Sequence, residues 1–110
     1  MTPKKQSLAE IQMRVLNFEE SHKLKATPEV RVLDLLSELG EVAKELVKGS
    51  NYGKEKLSLD RDKWEMELGD VFYGIITLSN GTHVDLEQAL DKTIRKMEAR
   101  IVAKGHPGSE

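Results

Sequence analysis

The sequence predicts an all-α protein, a four-helix bundle in one domain, and three features carry that expectation. Apolar residues recur at three- and four-residue steps through most of the 110 residues, the period of an amphipathic helix rather than a strand. Start signals and Gly/Asn/Ser breaker clusters divide that pattern into four runs. No segment alternates like a strand; the nearest, Val71–Leu78, reads as the middle of a buried helix.

The first helix is expected from Ser7 to about Leu24, with Leu8, Ile11, Val15, Leu16 and Phe18 at mixed three- and four-residue steps. Thr27-Pro28-Glu29 then gives an N-cap, a proline at the first helical position and an acid near the positive end of the dipole. That second helix runs to about Lys48 and stops at Gly49-Ser50-Asn51-Tyr52-Gly53. A loop continues to about Ser58, and Leu59–Asp62 lead into a third helix reaching Ser79. Asn80-Gly81-Thr82 is read as a turn, Asp85 caps a fourth helix through about Lys104, and Gly105–Glu110 are expected to form a frayed tail. The short link between helices three and four predicts antiparallel neighbours. There is no internal repeat or low-complexity tract.

Composition narrows the function. The chain is 33% charged and only 5% aromatic, so a second chain supplying helical partners would add burial. The absence of Cys excludes a disulfide framework, a thiolate metal site and a cysteine nucleophile, and fits a cytoplasmic protein. A net charge of −2 argues against nucleic-acid binding, which normally needs a basic surplus. No stretch approaches the roughly 18 apolar residues of a membrane span, and the N-terminus lacks the apolar run of a signal peptide.

The chemistry begins with an odd run of acids. In LSELGEVAKE, Glu38, Glu41 and Glu45 follow Asp34 on one helical stripe, within an arc of about 60° at 100° per residue. Like charges so placed repel by a few tenths of a kcal/mol per pair. WEMELGDVFYGII repeats the pattern, setting Glu67 and Asp70 one turn apart beside Trp64, Leu68, Val71 and Ile75. A single Glu-x-x-Glu is usually a solvated face; two acid pairs, each bordering an apolar stripe, are harder to explain that way. If the two helices pack together, four carboxylates converge in a semi-buried pocket. Burying anions unpaired is very costly, and a divalent cation resolves the cost. With no Cys and no nearby His, an all-oxygen set selects a hard ion, Mg²⁺ or Mn²⁺.

The fourth helix carries the opposite charge. Lys92, Lys96 and Arg100 flank its apolar stripe of Leu86, Leu90, Met97 and Ile101. Such a flank is ordinarily solvated surface, but beside an anionic metal site these cations are what a polyphosphate needs.

Glu38-x-x-Glu41, 25 intervening residues, then Glu67-x-x-Asp70 resembles the all-α nucleoside triphosphate pyrophosphohydrolases of the MazG type. The similarity continues through VDLEQAL and Lys96-Met-Glu-Ala-Arg100, and so covers about residues 27–101. This resemblance implies hydrolysis of the α–β phosphate bond of (d)NTPs to a monophosphate and pyrophosphate with Mg²⁺. It makes the four acids metal ligands and gives one of Glu38 and Glu41 the task of orienting or deprotonating water. Lys96 and Arg100 stand where the family carries its own Lys and Arg, and dimers, sometimes paired into tetramers, are implied too. The chain departs from the family in having Ser37 where many members have a glutamate. Val47-Lys48 also stand where members of the dCTP pyrophosphatase type have a tryptophan. Phe18, Tyr52, Trp64 and Tyr73 are the aromatics available to stack on a base, with core or loop packing as the plainer reading.

Three rivals remain at this level. A carboxylate-bridged di-iron bundle wants two Glu-x-x-His motifs; Glu19 to His22 supplies one, while neither His83 nor His106 has a Glu three residues before it. Phosphoribosyl-ATP pyrophosphohydrolase shares the acid pattern. A helical oligomer with an inert or structural acid stripe needs no chemistry at all.

Overall fold

A computed structural model describes residues 5–109 of the chain; Glu110, the last residue of the expected tail, lies outside them. The described residues form four helices and no strand: α1 (Leu8–Ser21), α2 (Pro28–Gly49), α3 (Arg61–Gly81) and α4 (Leu86–Lys104).

Local chemistry sets most of the ends. The Ser7 hydroxyl accepts from the Glu10 N–H at 3.1 Å while the Glu10 carboxylate accepts from the Ser7 N–H at 3.2 Å, a reciprocal cap. The α1 helix stops three residues short of the expected Leu24. Lys23 turns into the left-handed region at φ 55°, and the Leu24 N–H reaches back to the Glu19 carbonyl at 2.9 Å. Thr27, Asp60 and Asp85 cap the other three helices through their side-chain oxygens. After α2 the chain folds back tightly, the Ser58 N–H donating to the Gly49 carbonyl at 2.9 Å. A Cβ on Gly49 would stand 2.6 Å from the Ser58 carbonyl oxygen, so only glycine fits there. The fold-back of the tail starts at Gly105, left-handed at φ 84°, and Arg100 donates to the Pro107 carbonyl at 3.3 Å.

The α2 and α3 helices form the main antiparallel pair, with α1 packed against α3. Gly74 allows close approach, since a Cβ there would lie 3.1 Å from Leu35 Cδ1. The expected antiparallel α3–α4 pair does not form; α4 packs on α1 instead. A polar clamp explains the difference. The buried Gln12 amide donates to Ser79 Oγ (3.1 Å), Asn80 Oδ1 (3.1 Å) and the Val84 carbonyl (2.9 Å), while its oxygen accepts from the first α4 amide, Leu86, at 2.9 Å. Asn80 in return donates to the Gln12 carbonyl at 3.0 Å. Asn80 and Gly81 therefore stay helical, two residues past the expected end at Ser79, and the turn shifts to residues 82–85.

The apolar core is thin. Among the described residues Ile76, 2% exposed, is the buried hydrophobic residue, and its buried companions Gln12, Glu19, Thr77 and Ser79 are polar. Leu33 and Leu36 on α2 and Met66 on α3 stay more than 60% exposed. The Cα radius of gyration is 17.1 Å, well above the ~13 Å of a compact chain of about this length.

Candidate metal and active site

Packing α2 against α3 brings together acids separated by the whole intervening loop. Glu38, Glu67 and Asp70 can each present a carboxylate oxygen within 4.8 Å of the others. Glu38 and Glu67 are half-buried and Asp70 is exposed. Burial, followed by the charges of Asp70, Glu67, Glu41 and Asp34, raises the Glu38 pKa above the ordinary carboxylate range. A half-buried oxygen-only donor set whose members repel one another suits a hard divalent cation.

The remaining site candidates fall on either side of this group. Glu41, exposed and one turn from Glu38, lies outside the trio yet still acts on Glu38 through its charge. Lys92, Lys96 and Arg100 ride on α4, which lies along neither α2 nor α3. Of the aromatics, Tyr52 is 76% exposed in the loop after α2 and Trp64 is half-buried near the start of α3. Phe18 meets His22, the C-cap of α1, with ring centroids 4.9 Å apart, and Tyr73 edge-on at 6.5 Å.

Two residues that the motif reasoning passed over, Lys63 and Arg31, frame the site. Lys63, four residues before Glu67, pairs with Glu45 at 2.9 Å, and that hydrogen bond and charge raise its pKa, with Glu67 and Glu41 adding to the effect. At the other end Arg31, seven residues before Glu38, pairs with Glu19, which also accepts from the Tyr73 hydroxyl at 3.1 Å. By helical spacing Arg31 falls with Asp34 and Glu38 and Lys63 falls with Glu67, a signal that could have found them; their partners come from other helices. Glu19, considered as half of a Glu-x-x-His metal motif, is bound instead to Arg31 and Tyr73.

The profile of the MazG nucleotide pyrophosphohydrolase domain matches residues 26–102. The chain belongs to the MazG family. It is a hydrolase, an all-α nucleotide pyrophosphohydrolase by family. Among MazG relatives, YpjD of Bacillus subtilis (strain 168) is 33% identical over 94 residues, 84% of this chain and 80% of that protein. A crystal structure of B. subtilis YpjD superposes with a TM-score of 0.73 at 28% identity, over 88% of this chain and 92% of that one. The crystal structure of a Bacillus-conserved MazG protein, a nucleotide pyrophosphohydrolase, gives a TM-score of 0.71 at 26% identity, over 86% and 92%. Among the described residues no helix is long and apolar enough to cross a membrane.

Proposed function

We propose that this MazG-family protein hydrolyses the α–β phosphate bond of nucleoside triphosphates, in the cytoplasm, releasing a monophosphate and pyrophosphate in a reaction dependent on Mg²⁺ or Mn²⁺. The observation that supports this best is the meeting of Glu38, Glu67 and Asp70 within 4.8 Å across the α2–α3 seam. These three would hold the cation. When bound, it supplies Lewis-acid polarisation of phosphate oxygens and a more acidic water.

Glu41 lies beside the trio on an exposed turn and is assigned the proton of the attacking water. As the water oxygen bonds to the α-phosphorus, that proton passes to Glu41, the bond from α-phosphorus to the bridging oxygen breaks, and its electron pair leaves with pyrophosphate. Lys63, one turn before Glu67, offers a positive charge within reach of the departing group. Lys92, Lys96 and Arg100 would offer more. Because α4 packs on α1 rather than along α2 or α3, these cations are assigned to the acid site of another copy. The exposed apolar residues of α2 and α3 and the thin core support assembly into a homodimer, or a homotetramer of paired dimers.

Incubating the protein with Mg²⁺ and a panel of ribo- and deoxyribonucleoside triphosphates and phosphoribosyl-ATP, then separating the products by chromatography, tests the reaction. Monophosphate plus pyrophosphate is expected. Diphosphate plus orthophosphate would mean that a different bond is cut. Turnover of phosphoribosyl-ATP alone would transfer the site to that substrate, and no turnover at all would leave a structural acid cluster.

A further inference from the structure

Gln12 on α1 is buried, and so is Ser79, one of the residues it holds. The two amide protons of Gln12 are shared among Ser79 Oγ at 3.1 Å, Asn80 Oδ1 at 3.1 Å and the Val84 carbonyl at 2.9 Å. Each acceptor is itself held. The Ser79 hydroxyl donates to the Ile76 carbonyl at 2.8 Å, so its oxygen is free to accept from Gln12. Asn80 donates to the Gln12 carbonyl at 3.0 Å, and the Val84 N–H donates to the Ser79 carbonyl at 2.9 Å. On the other side Gln12 Oε1 accepts from the Leu86 N–H at 2.9 Å, the first amide of α4. One side chain of α1 thus fastens the last turn of α3 to the first turn of α4. Apolar contacts can slide, whereas a satisfied buried network is directional and specifies one arrangement.

The direction of α4 is decided largely at that anchor. The helix packs on α1, yet Leu90, Ile94, Met97 and Ile101 of its apolar stripe stay exposed. Lys96 and Arg100 lie about 15 and 21 Å along the axis from Leu86, at about 1.5 Å per residue. A tilt of about 10° at Leu86 would carry Arg100 about 4 Å, more than the ~3 Å span of a hydrogen bond to phosphate. Misplacing a reacting or binding group by about 1 Å can already cost about a hundredfold in rate.

We infer that Gln12 is a positioning residue for hydrolysis: its clamp sets the angle at which α4 leaves α3, and that angle places Lys96 and Arg100 on the phosphates of the nucleotide. The inference rests on the hydrolase reading above, with the α4 cations serving the acid site of another copy. Gln12 has no part in the acid trio; it acts through α4. An amide suits the task because it donates toward α3 and accepts from α4 at once. A carboxylate has no proton for Asn80, and an apolar side chain offers neither function.

Gln12→Leu roughly keeps the volume and removes the side-chain bonds. In steady-state kinetics on the nucleotide panel with Mg²⁺, it should lower kcat/KM by about tenfold or more. Mn²⁺ titrated onto the nucleotide-free protein should bind as in the wild type. In an Arg100→Ala background the same change should cost about threefold at most, because a group that it positions is gone. Equal losses in the two backgrounds would mark a purely structural role and overturn the inference, as would full activity or weakened Mn²⁺ binding.

Where Gln12→Leu does not fold, Leu86 decides. Leu86→Pro and Leu86→Ala both lose the leucine side chain, but only proline lacks the amide that Gln12 holds, and the first helical position tolerates it. The proline variant should be slower than the alanine variant by about fivefold or more; equal rates would overturn the inference.

A spectroscopic measurement separates the clamp from the hydrolase reading. The chain has no Cys, so spin labels can be placed at the exposed positions Glu65→Cys on α3 and Glu98→Cys on α4. With labelled chains diluted in unlabelled protein, pulsed EPR reads the distance within one chain. Gln12→Leu should broaden that distance. Broadening with no pyrophosphate released by the wild type would refute the hydrolase reading and leave Gln12 setting α4. An unchanged distance would refute the inference alone.

Discussion

Glu19 and Arg31 form an ion pair almost out of water, their side chains 5% and 12% exposed. The pair joins α1 to α2, and the Tyr73 hydroxyl on Glu19 adds α3. Three helices therefore meet on a charged knot where a larger domain would place aliphatic side chains. Removing one partner strands the other charge, and breaking such buried pairs typically costs about 3–5 kcal/mol. Glu19→Ala should lower stability on that scale in urea unfolding, and a loss under about 0.5 kcal/mol would mean that the knot is solvated.

The same knot should be visible in a tyrosine titration. Burial first, then the Glu19 charge and its hydrogen bond, raise the Tyr73 pKa. A group whose folded pKa is raised contributes stability fully present below its unfolded value, about 10 for tyrosine, and lost as pH climbs through the folded value. In a Tyr52→Phe background Tyr73 is the remaining tyrosine. Its phenolate absorbance should appear above pH 10, with unfolding setting in over the same window, and Glu19→Gln should move it back down. A titration midpoint at or below 10 would count against the contact.

For the acid trio, Glu38→Gln, Glu67→Gln and Asp70→Asn should each lower turnover by roughly 10²- to 10³-fold, the scale for losing one group that stabilises the transition state. The helical fold, read by circular dichroism, should be unaffected. Full activity in Glu41→Gln and Asp70→Asn alike would show the site to be misassigned.

The trio also sets a pH dependence in metal-free buffer. The Glu38 pKa is raised by burial and by Asp70, Glu67, Glu41 and Asp34, so its contribution to stability is lost as pH rises through the folded value and regained on acidification. The apparent Tm of the metal-free protein should rise by a few degrees as pH falls from 7 toward the carboxylate range. Glu38→Gln should flatten that slope, and Mg²⁺ should remove it by taking the place of the proton. An identical slope in Glu38→Gln would assign the effect elsewhere.

Lys96→Ala and Arg100→Ala should weaken hydrolysis of triphosphates by roughly ten- to a thousandfold; surface charges without such a role seldom matter beyond about 0.5 kcal/mol. Arg100 would grip phosphate bidentately and Lys96 would act as a point charge. Since α4 lies along neither acid-bearing helix of its own chain, mixing Arg100→Ala with Glu38→Gln protein should restore activity in hybrid oligomers. The same preparation should sediment as a dimer or tetramer at micromolar concentration. A stable monomer, or no rescue, would rule out sharing of sites.

The sequence by itself determined the helices and the stripes they carry, because both are local. A capping oxygen reaches only two or three residues ahead, so Thr27-Pro28 and Asp85 mark their helices without any tertiary help. The 3.6-residue period likewise fixes that Asp34, Glu38 and Glu41 share a face whatever packs on it. The tertiary structure decided what that face meets. Which carboxylates converge depends on the α2–α3 register, held close by Gly74 against Leu35. That register groups Glu38 with Glu67 and Asp70 and leaves Glu41 beside them. The partners of Glu19 and Arg31 were equally hidden, since nothing local distinguishes a buried helical charge from a solvated one. The direction of α4 was legible least of all. It is set by Gln12 bonding across roughly seventy residues of sequence to Ser79, Asn80, Val84 and Leu86, a long-range choice that periodicity does not record.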